Sequence, residues 1–487
     1  RNMIGFEAGP PQPARPPLLS GQPFIIFWGI RDSSCSGRPD PRSFGMEREG
    51  RVAVFYRDSL GNYPYFVDKD TPVNGGLPQH TRLDSHLQKT QQDLEAALPA
   101  PRYLGLGVLR WAEWVPQWSR NQEKQATYQE ASRNLLRSFF PSWTPEEVEK
   151  WSKVDFEAAA QSVMMETLRE VKRLRPKALW GMSPYPSCYN NSPAQTTLAN
   201  YTGQCPAAEM ALNDELLWLW KRSSALYPLL TLDKLQVGTV SPRRYLSSQI
   251  KEALRVSSLA GAEFDLPVFP LVKSVYASTN TPLSQADLVS TIGESAAMGT
   301  AGVVFWERRS SVSCLSHYTF VRKVLGPYSV NVTTATRLCS ASLCQGKGRC
   351  VRQNPESSAY LHLPPPPTAA AAPQHIFSQL SGALCLTSGE TTPSSFPRHC
   401  RKHSVVNKTI TDGSIPFSCF ISRVLVLLLT VILSRLHVCR YIFFINLCRF
   451  LSILLTQRSD GWFRFFCSSC KFICYFSLKY TLKTKGI

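Results

Sequence analysis

Seven short apolar runs, several of them continuously apolar, punctuate the first 306 residues, at 24–29 (FIIFWG), 52–56 (VAVFY), 104–111 (LGLGVLRW), 178–181 (ALWG), 225–230 (ALYPLL), 266–276 (LPVFPLVKSVY) and 299–306 (GTAGVVFW). Runs of this length without polar alternation suit strands covered on both faces, as in parallel sheets. Helix-length stretches lie between them. The clearest opens at Thr144, where TPEE supplies an N-cap threonine, Pro145 at the first helical position and Glu147 to close a capping box. Phe156, Ala160, Val163, Thr167, Val171 and Leu174 then recur at three- and four-residue spacing, and Pro176 ends the run. The alternation predicts an α/β fold, a closed or nearly closed (β/α) barrel. A doubly wound sheet is the alternative, but no GxGxxG follows the first run.

Charge separates the chain into two parts. The net charge is +19, yet residues 375–487 hold 14 Lys/Arg against three Asp/Glu, a surplus of 11 that leaves +8 for the first 374. That remainder suits a polyanion without demanding one. No arginine-rich helix, RNP motif or zinc-finger spacing accompanies it, so nucleic acid is not an expected partner.

Seven of the 15 cysteines precede residue 375: Cys35, Cys188, Cys205, Cys314, Cys339, Cys344 and Cys350. Wide spacing, no paired CxxC sites and few histidines favour disulfides over a metal site. Sequons at Asn190, Asn200 and Asn331, with Asn407 in the tail, fit the same oxidising compartment. The expectation is the secretory pathway, with an extracellular or lysosomal destination. No signal peptide is visible and the first residue is Arg1, so a truncated N-terminus is expected. His80, His86 and His317 are scattered and read as structural or surface residues.

At 339–350, CSASLCQGKGRC reads either as the opening of an EGF-like module or as a turn-rich appendage with one local disulfide. After Leu363, PPPPTAAAAP is a low-complexity linker. The apolar run 424–433 is bracketed by Arg423 and Arg435 and is too short for a bilayer span, and the charged end argues against a lipid-anchor signal. The tail therefore reads as a non-native or disordered extension, such as a retained intron, with a membrane anchor as the alternative.

Several segments together resemble the vertebrate hyaluronidases, glycoside hydrolase family 56. They are FYRDSLGNYPYF (55–66), NGGLPQ (74–79), LRPKALWG (174–181), NYTGQC (200–205), LWLWKRSSALYP (217–228), GESAAMGTAGVVFW (293–306), LGPYSVNVT (325–333) and RLCSASLCQGKGRCVR (337–352). The resemblance spans about residues 20–363. It implies a distorted TIM-like barrel over 1–335, the start of an EGF-like module over 336–363 (incomplete here), the linker at 364–373 and the atypical tail at 374–487. It also implies disulfides Cys35–Cys314, Cys188–Cys205 and Cys339–Cys350, leaving Cys344 unpaired or mispaired, and glycosylation at Asn200 and Asn331.

The family cleaves the β-1,4 bonds of hyaluronan with retention. A glutamic acid protonates the leaving oxygen and the substrate's own acetamido carbonyl attacks, positioned by an aspartate. Those acids are expected two residues apart on one strand, where alternate side chains share a face. Here the corresponding stretch is Arg110-Trp111-Ala112-Glu113-Trp114, so Arg110 stands for the aspartate and Ala112 for the proton donor. Glu113, one position along, is expected on the opposite face, and relatives commonly carry an acid there too. Ser183 and Thr231 replace cleft tyrosines, Ser187 and Ala277 replace aspartates, and Gly29 replaces an asparagine. Tyr56, Tyr189 and Trp306 remain as sugar-binding candidates. Trp111 and Trp114 read as core rather than sugar-stacking residues. The resemblance thus implies a monomeric hyaluronidase-fold protein, without cofactor or metal, acting on hyaluronan or a related glycosaminoglycan and impaired or inactive in catalysis. The alternatives are an active hyaluronan or chondroitin hydrolase with a non-standard acid and a non-catalytic glycan-binding protein.

Overall fold

The computed structural model describes residues 14–30, 39–190, 203–233, 241–261, 264–306 and 319–364, with 383–384 and 401–402. Cys35, Cys314, Asn200, His317 and nearly all of the tail lie outside the described residues. The chain divides into two units, Arg1–Val406 and Asn407–Ile487, and everything described belongs to the first.

Each of the seven apolar runs contains a strand. In chain order the strands are β1 (Ile25–Trp28), β2 (Val52–Phe55), the small antiparallel pair β3 (Tyr65–Phe66) and β4 (Pro72–Val73), β5 (Leu106–Arg110), β6 (Leu179–Ser183), β7 (Leu229–Leu230), β8 (Leu271–Val272) and β9 (Gly302–Phe305). The ladders joining the seven are parallel, in the orders β2-β5-β6 and β7-β8-β9-β1. The two sheets meet where Ala225 N donates to Trp180 O at 3.2 Å and the Tyr227 hydroxyl to Leu179 O at 2.6 Å. On the other side Gly29, just past β1, lies against Val52 of β2. The strands therefore follow one another around a distorted TIM-like barrel in chain order, which removes the doubly wound alternative.

Side-chain parity confirms the closure. Ile25 and Phe27, Val52 and Val54, Leu106 and Val108, Leu179, Tyr227, Phe269 and Leu271, and Val304 and Trp306 form one buried cluster drawn from all seven strand segments. The intervening residues face outward onto helices: Phe55, Leu109, Trp180 and Met182 into one cluster, Ile26, Trp28, Val303 and Phe305 into another. Burying each such large apolar side chain contributes roughly 1.5–3 kcal/mol.

The outer layer comprises α1 (Leu83–Ala97), α2 (Ala126–Phe139), α3 (Pro145–Leu174), α4 (Ala207–Glu215), α5 (Leu217–Arg222), α6 (Ser241–Ala260), the short α7 (Gln285–Leu288) and α8 (Glu294–Ala297), and α9 (Gly326–Leu343). The long α3 carries the expected capping box, with the Thr144 side chain accepting from Glu147 N and Glu147 accepting from Thr144 N. Its buried stripe includes Phe156, Ala160, Val163, Thr167 and Val171. His86 is buried against it, with Nε2 2.8 Å from Thr167 Oγ1, and His80 bonds Gly75 O through Nδ1 at 2.6 Å.

The division expected at 335/336 falls inside α9, so Cys339 belongs to the last turn of a helix packed on the barrel. The disulfides Cys188–Cys205 and Cys339–Cys350 are present. Cys344, expected to be unpaired or mispaired, is also disulfide-bonded. Beyond the helix, β10 (Gly348–Arg349) and β11 (Val351–Arg352) pair antiparallel with β13 (Arg401–Lys402) and β12 (Ala383–Leu384) respectively. The segment after β11 is anchored by Glu294 of α8. Its fully buried carboxylate accepts from Arg352, from Ser247 of α6 at 2.7 Å and from the Tyr360 hydroxyl at 2.8 Å.

Candidate active site

Inward parity places the functional layer. One step beyond the last interior residues, at the carboxyl ends of the strands, come Gly29, Tyr56, Arg110, Ser183, Lys273 and Trp306. This is the end of a TIM-like barrel where side chains from different strands converge. The Tyr56 and Trp306 rings lie 6.4 Å apart. The Arg110 guanidinium stands 5.1 Å from the Trp306 ring centre and the Lys273 ammonium 5.6 Å from it, so two cations flank one indole. Arg110 is opposite Ser183 in the β5–β6 register.

The floor of this layer is electropositive and underbonded. Arg110 Nε and Nη1, Ser183 Oγ and Trp306 Nε1 are buried without hydrogen-bond partners among the described residues. Burial pushes the Arg110 guanidinium down from its ordinary value, opposed by the charge of Glu113 and by Tyr185, Tyr56 and Tyr63. The space beside Gly29 is tight as well. A Cβ on Gly29 would come within 3.0 Å of Phe305 O and 3.1 Å of Val52 Cγ1.

The strand ends at Arg110, so Ala112 and Glu113 lie on the following loop. This corrects the expectation that strand alternation sends them to opposite faces. Both line one cavity of about 470 Å³, together with Phe66, Gln125 and Tyr128. Glu113 is held there by Arg57 at 3.6 Å and by the Ala112 N–H, which donates to its Oε2 at 3.1 Å. Ala112 offers no proton to any leaving group.

The other candidates separate clearly. Trp111 and Trp114 are fully buried and stack on Tyr63 at 4.4 and 5.2 Å, as core residues. Tyr189 is 64% exposed, its N–H donating to Glu209 Oε2, and it makes no ring contact with Tyr56 or Trp306 among the described residues. Ala277 is exposed, and Ser187 contributes only a backbone carbonyl to Asn213. Lys273 is the member of this layer that sequence reasoning passed over. It is the one charged residue inside the apolar run 266–276, two positions after Leu271 and therefore on the interior face.

A family model described as hyaluronidase matches residues 13–409. The chain belongs to the hyaluronidase family. Hyaluronidase-2 of Mus musculus is 40% identical over 371 residues, covering 73% of this chain and 78% of that protein. Hyaluronidase-2 of Homo sapiens is 40% identical over 367 residues, with 72% and 77% covered. Among solved hyaluronidase structures, bee venom hyaluronidase aligns with a TM-score of 0.57 at 27% identity, covering 63% of this chain and 99% of that one. The same enzyme in complex with a hyaluronic acid tetramer aligns with a TM-score of 0.57 at 28% identity, over 62% and 98%. Family membership accounts for the barrel.

Proposed function

We propose that this protein is a hyaluronidase-family member that holds hyaluronan or a related glycosaminoglycan with little or no turnover. The observation that carries the reading is the Arg110–Trp306–Lys273 cluster at the strand ends. A guanidinium stands where substrate-assisted hydrolysis needs an aspartate, and a methyl group where it needs the proton donor. Loss of a general acid costs about 10²–10⁴ in rate. The two cations favour a polyanionic chain, and Trp306 and Tyr56 offer rings for a sugar face. The same reading places the protein in the secretory pathway, outside the cell or in the lysosome, with Asn331 as an exposed glycosylation site on α9. Among the described residues no helix is long and apolar enough to cross a membrane. The Cys339–Cys350 segment is the start of an EGF-like module in this reading.

Hyaluronan degradation by the purified full chain, beside the Arg110→Asp/Ala112→Glu double variant, tests it. The expected result is no cleavage by the unmodified chain with hyaluronan still bound. Robust cleavage by the unmodified chain overturns it. One observation favours that second reading, an active hydrolase with a non-standard acid: Glu113 shares its cavity with Ala112.

A further inference from the structure

A second cavity, of about 250 Å³, lies at the opposite end of the barrel. Leu179 opens β6, Phe269 precedes β8 by two residues and Ala301 precedes β9 by one, and these form its apolar wall. The polar lining is wholly cationic: Arg15, Lys177 and Arg349, with no carboxylate among the lining residues. Arg349, on β10, is the unusual member. It is only 6% exposed, its Nε has no hydrogen-bond partner, and no ion pair or side-chain hydrogen bond satisfies the rest of its guanidinium among the described residues. Burial alone, with no compensating charge, pushes it down to about 10. Lys172 is lowered first by burial and then by the like charges of Arg15 and Arg222.

A buried guanidinium without an anion is costly, because desolvation is not repaid by any attraction. Its planar fork matches two oxygens of one oxyanion, while an ammonium serves as a point charge at the rim, where Lys177 is exposed. We infer that Arg349, Arg15 and Lys177 form an oxyanion site at the amino-terminal end of the barrel, taking phosphate or sulfate either free or as a terminal ester. The cavity is small for a saccharide chain, so only the charged group enters. The site is independent of the carboxyl-end cleft and of any hyaluronan turnover.

Calorimetric titration of the full chain with sodium phosphate, sodium sulfate and N-acetylglucosamine 6-sulfate, against sodium chloride of matched ionic strength, tests the site. Saturable binding of at least one oxyanion is expected, weakened at least tenfold by Arg349→Met and at least threefold by Lys177→Glu. Binding of the free ions assigns a free anion, and binding of the sulfated sugar alone assigns an ester; both uphold the site. Lys177 is exposed, so Lys177→Glu decides the matter if Arg349→Met does not fold. No saturable response beyond chloride, or binding that a folded variant leaves unchanged, overturns the site.

Discussion

The Arg110 guanidinium lies 5.1 Å from the centre of the Trp306 ring, at the carboxyl end of the barrel. The contact joins two strands, β5 and the end of β9, that are not neighbours in the sheets. Arg110 therefore spans the mouth, and its buried Nε and Nη1 remain without partners among the described residues. Such a group is kept at a cost in stability. Replacing a buried, incompletely bonded charge by an apolar side chain of similar volume is often neutral or stabilising. Arg110→Met is expected to raise stability by about 1 kcal/mol while weakening hyaluronan binding several-fold, read by chemical denaturation and by titration with hyaluronan oligosaccharides. Binding unchanged by the substitution would remove Arg110 from the site.

The barrel is legible in the sequence because seven apolar runs, each followed by a segment long enough to cross back, leave few topologies open. The layer at its mouth is only half legible. Arg110 and Ala112 are visible against the family pattern, but Lys273 is hidden inside an apolar run until strand parity assigns it inward. The loop position of Ala112 and Glu113 is not legible either. Alternation holds only while the chain is extended, and LRWAEW contains nothing that marks Arg110 as the final strand residue. The bonding of Cys344 is not legible for a different reason, since the later cysteine that the resemblance would give it lies in a region this chain has replaced.

Glu113 supplies a sharper test of residual catalysis. Its carboxylate faces Arg57 at 3.6 Å, with side chains 20% and 27% exposed, and it also receives the Ala112 N–H. Both contacts tie the carboxylate to the loop. Glu113→Gln should leave any residual hyaluronan cleavage within twofold of the unmodified chain, with a stability loss below about 1 kcal/mol for a partly screened pair. A tenfold loss of turnover with an intact fold would instead identify Glu113 as the acid.

Glu294 should control acid stability below the ordinary carboxylate range. Burial alone would raise its carboxyl, but hydrogen bonds from Arg352 and Ser247 and the charges of Arg352 and Arg243 hold it below the usual value. A depressed folded pKa means that its contribution is fully present above the unfolded value of 4.5 and is lost as the pH falls through the folded one. Glu294→Gln leaves Arg352 buried without its counter-charge, an expected loss of about 3 kcal/mol near neutral pH. The gap between variant and unmodified chain should narrow on acidification below 4.5, read as melting temperature from pH 7 to 3. A gap independent of pH would show that the carboxylate's charge does not matter there.

His362 acts in a higher window, which makes the two separable. Burial pushes its imidazole down to about 4, and its Nε2 lies 2.8 Å from the Tyr328 hydroxyl with the two rings edge to face. In the unfolded chain the same group takes a proton near 6.5. Between those values the unfolded state binds more protons than the folded one, so stability is full above 6.5 and falls as the pH drops toward 4. His86, lowered by burial against α3 with partial opposition from the Asn62 backbone, titrates in the same direction and accounts for part of the slope. His362→Gln keeps a hydrogen-bonding group beside Tyr328 but cannot take the proton. The melting temperature of the unmodified chain is therefore expected to fall more steeply than that of the variant between pH 7 and 5, where Glu294 contributes no slope. Parallel curves over that interval would place His362 in a solvated, freely titrating state and detach it from the contact with Tyr328.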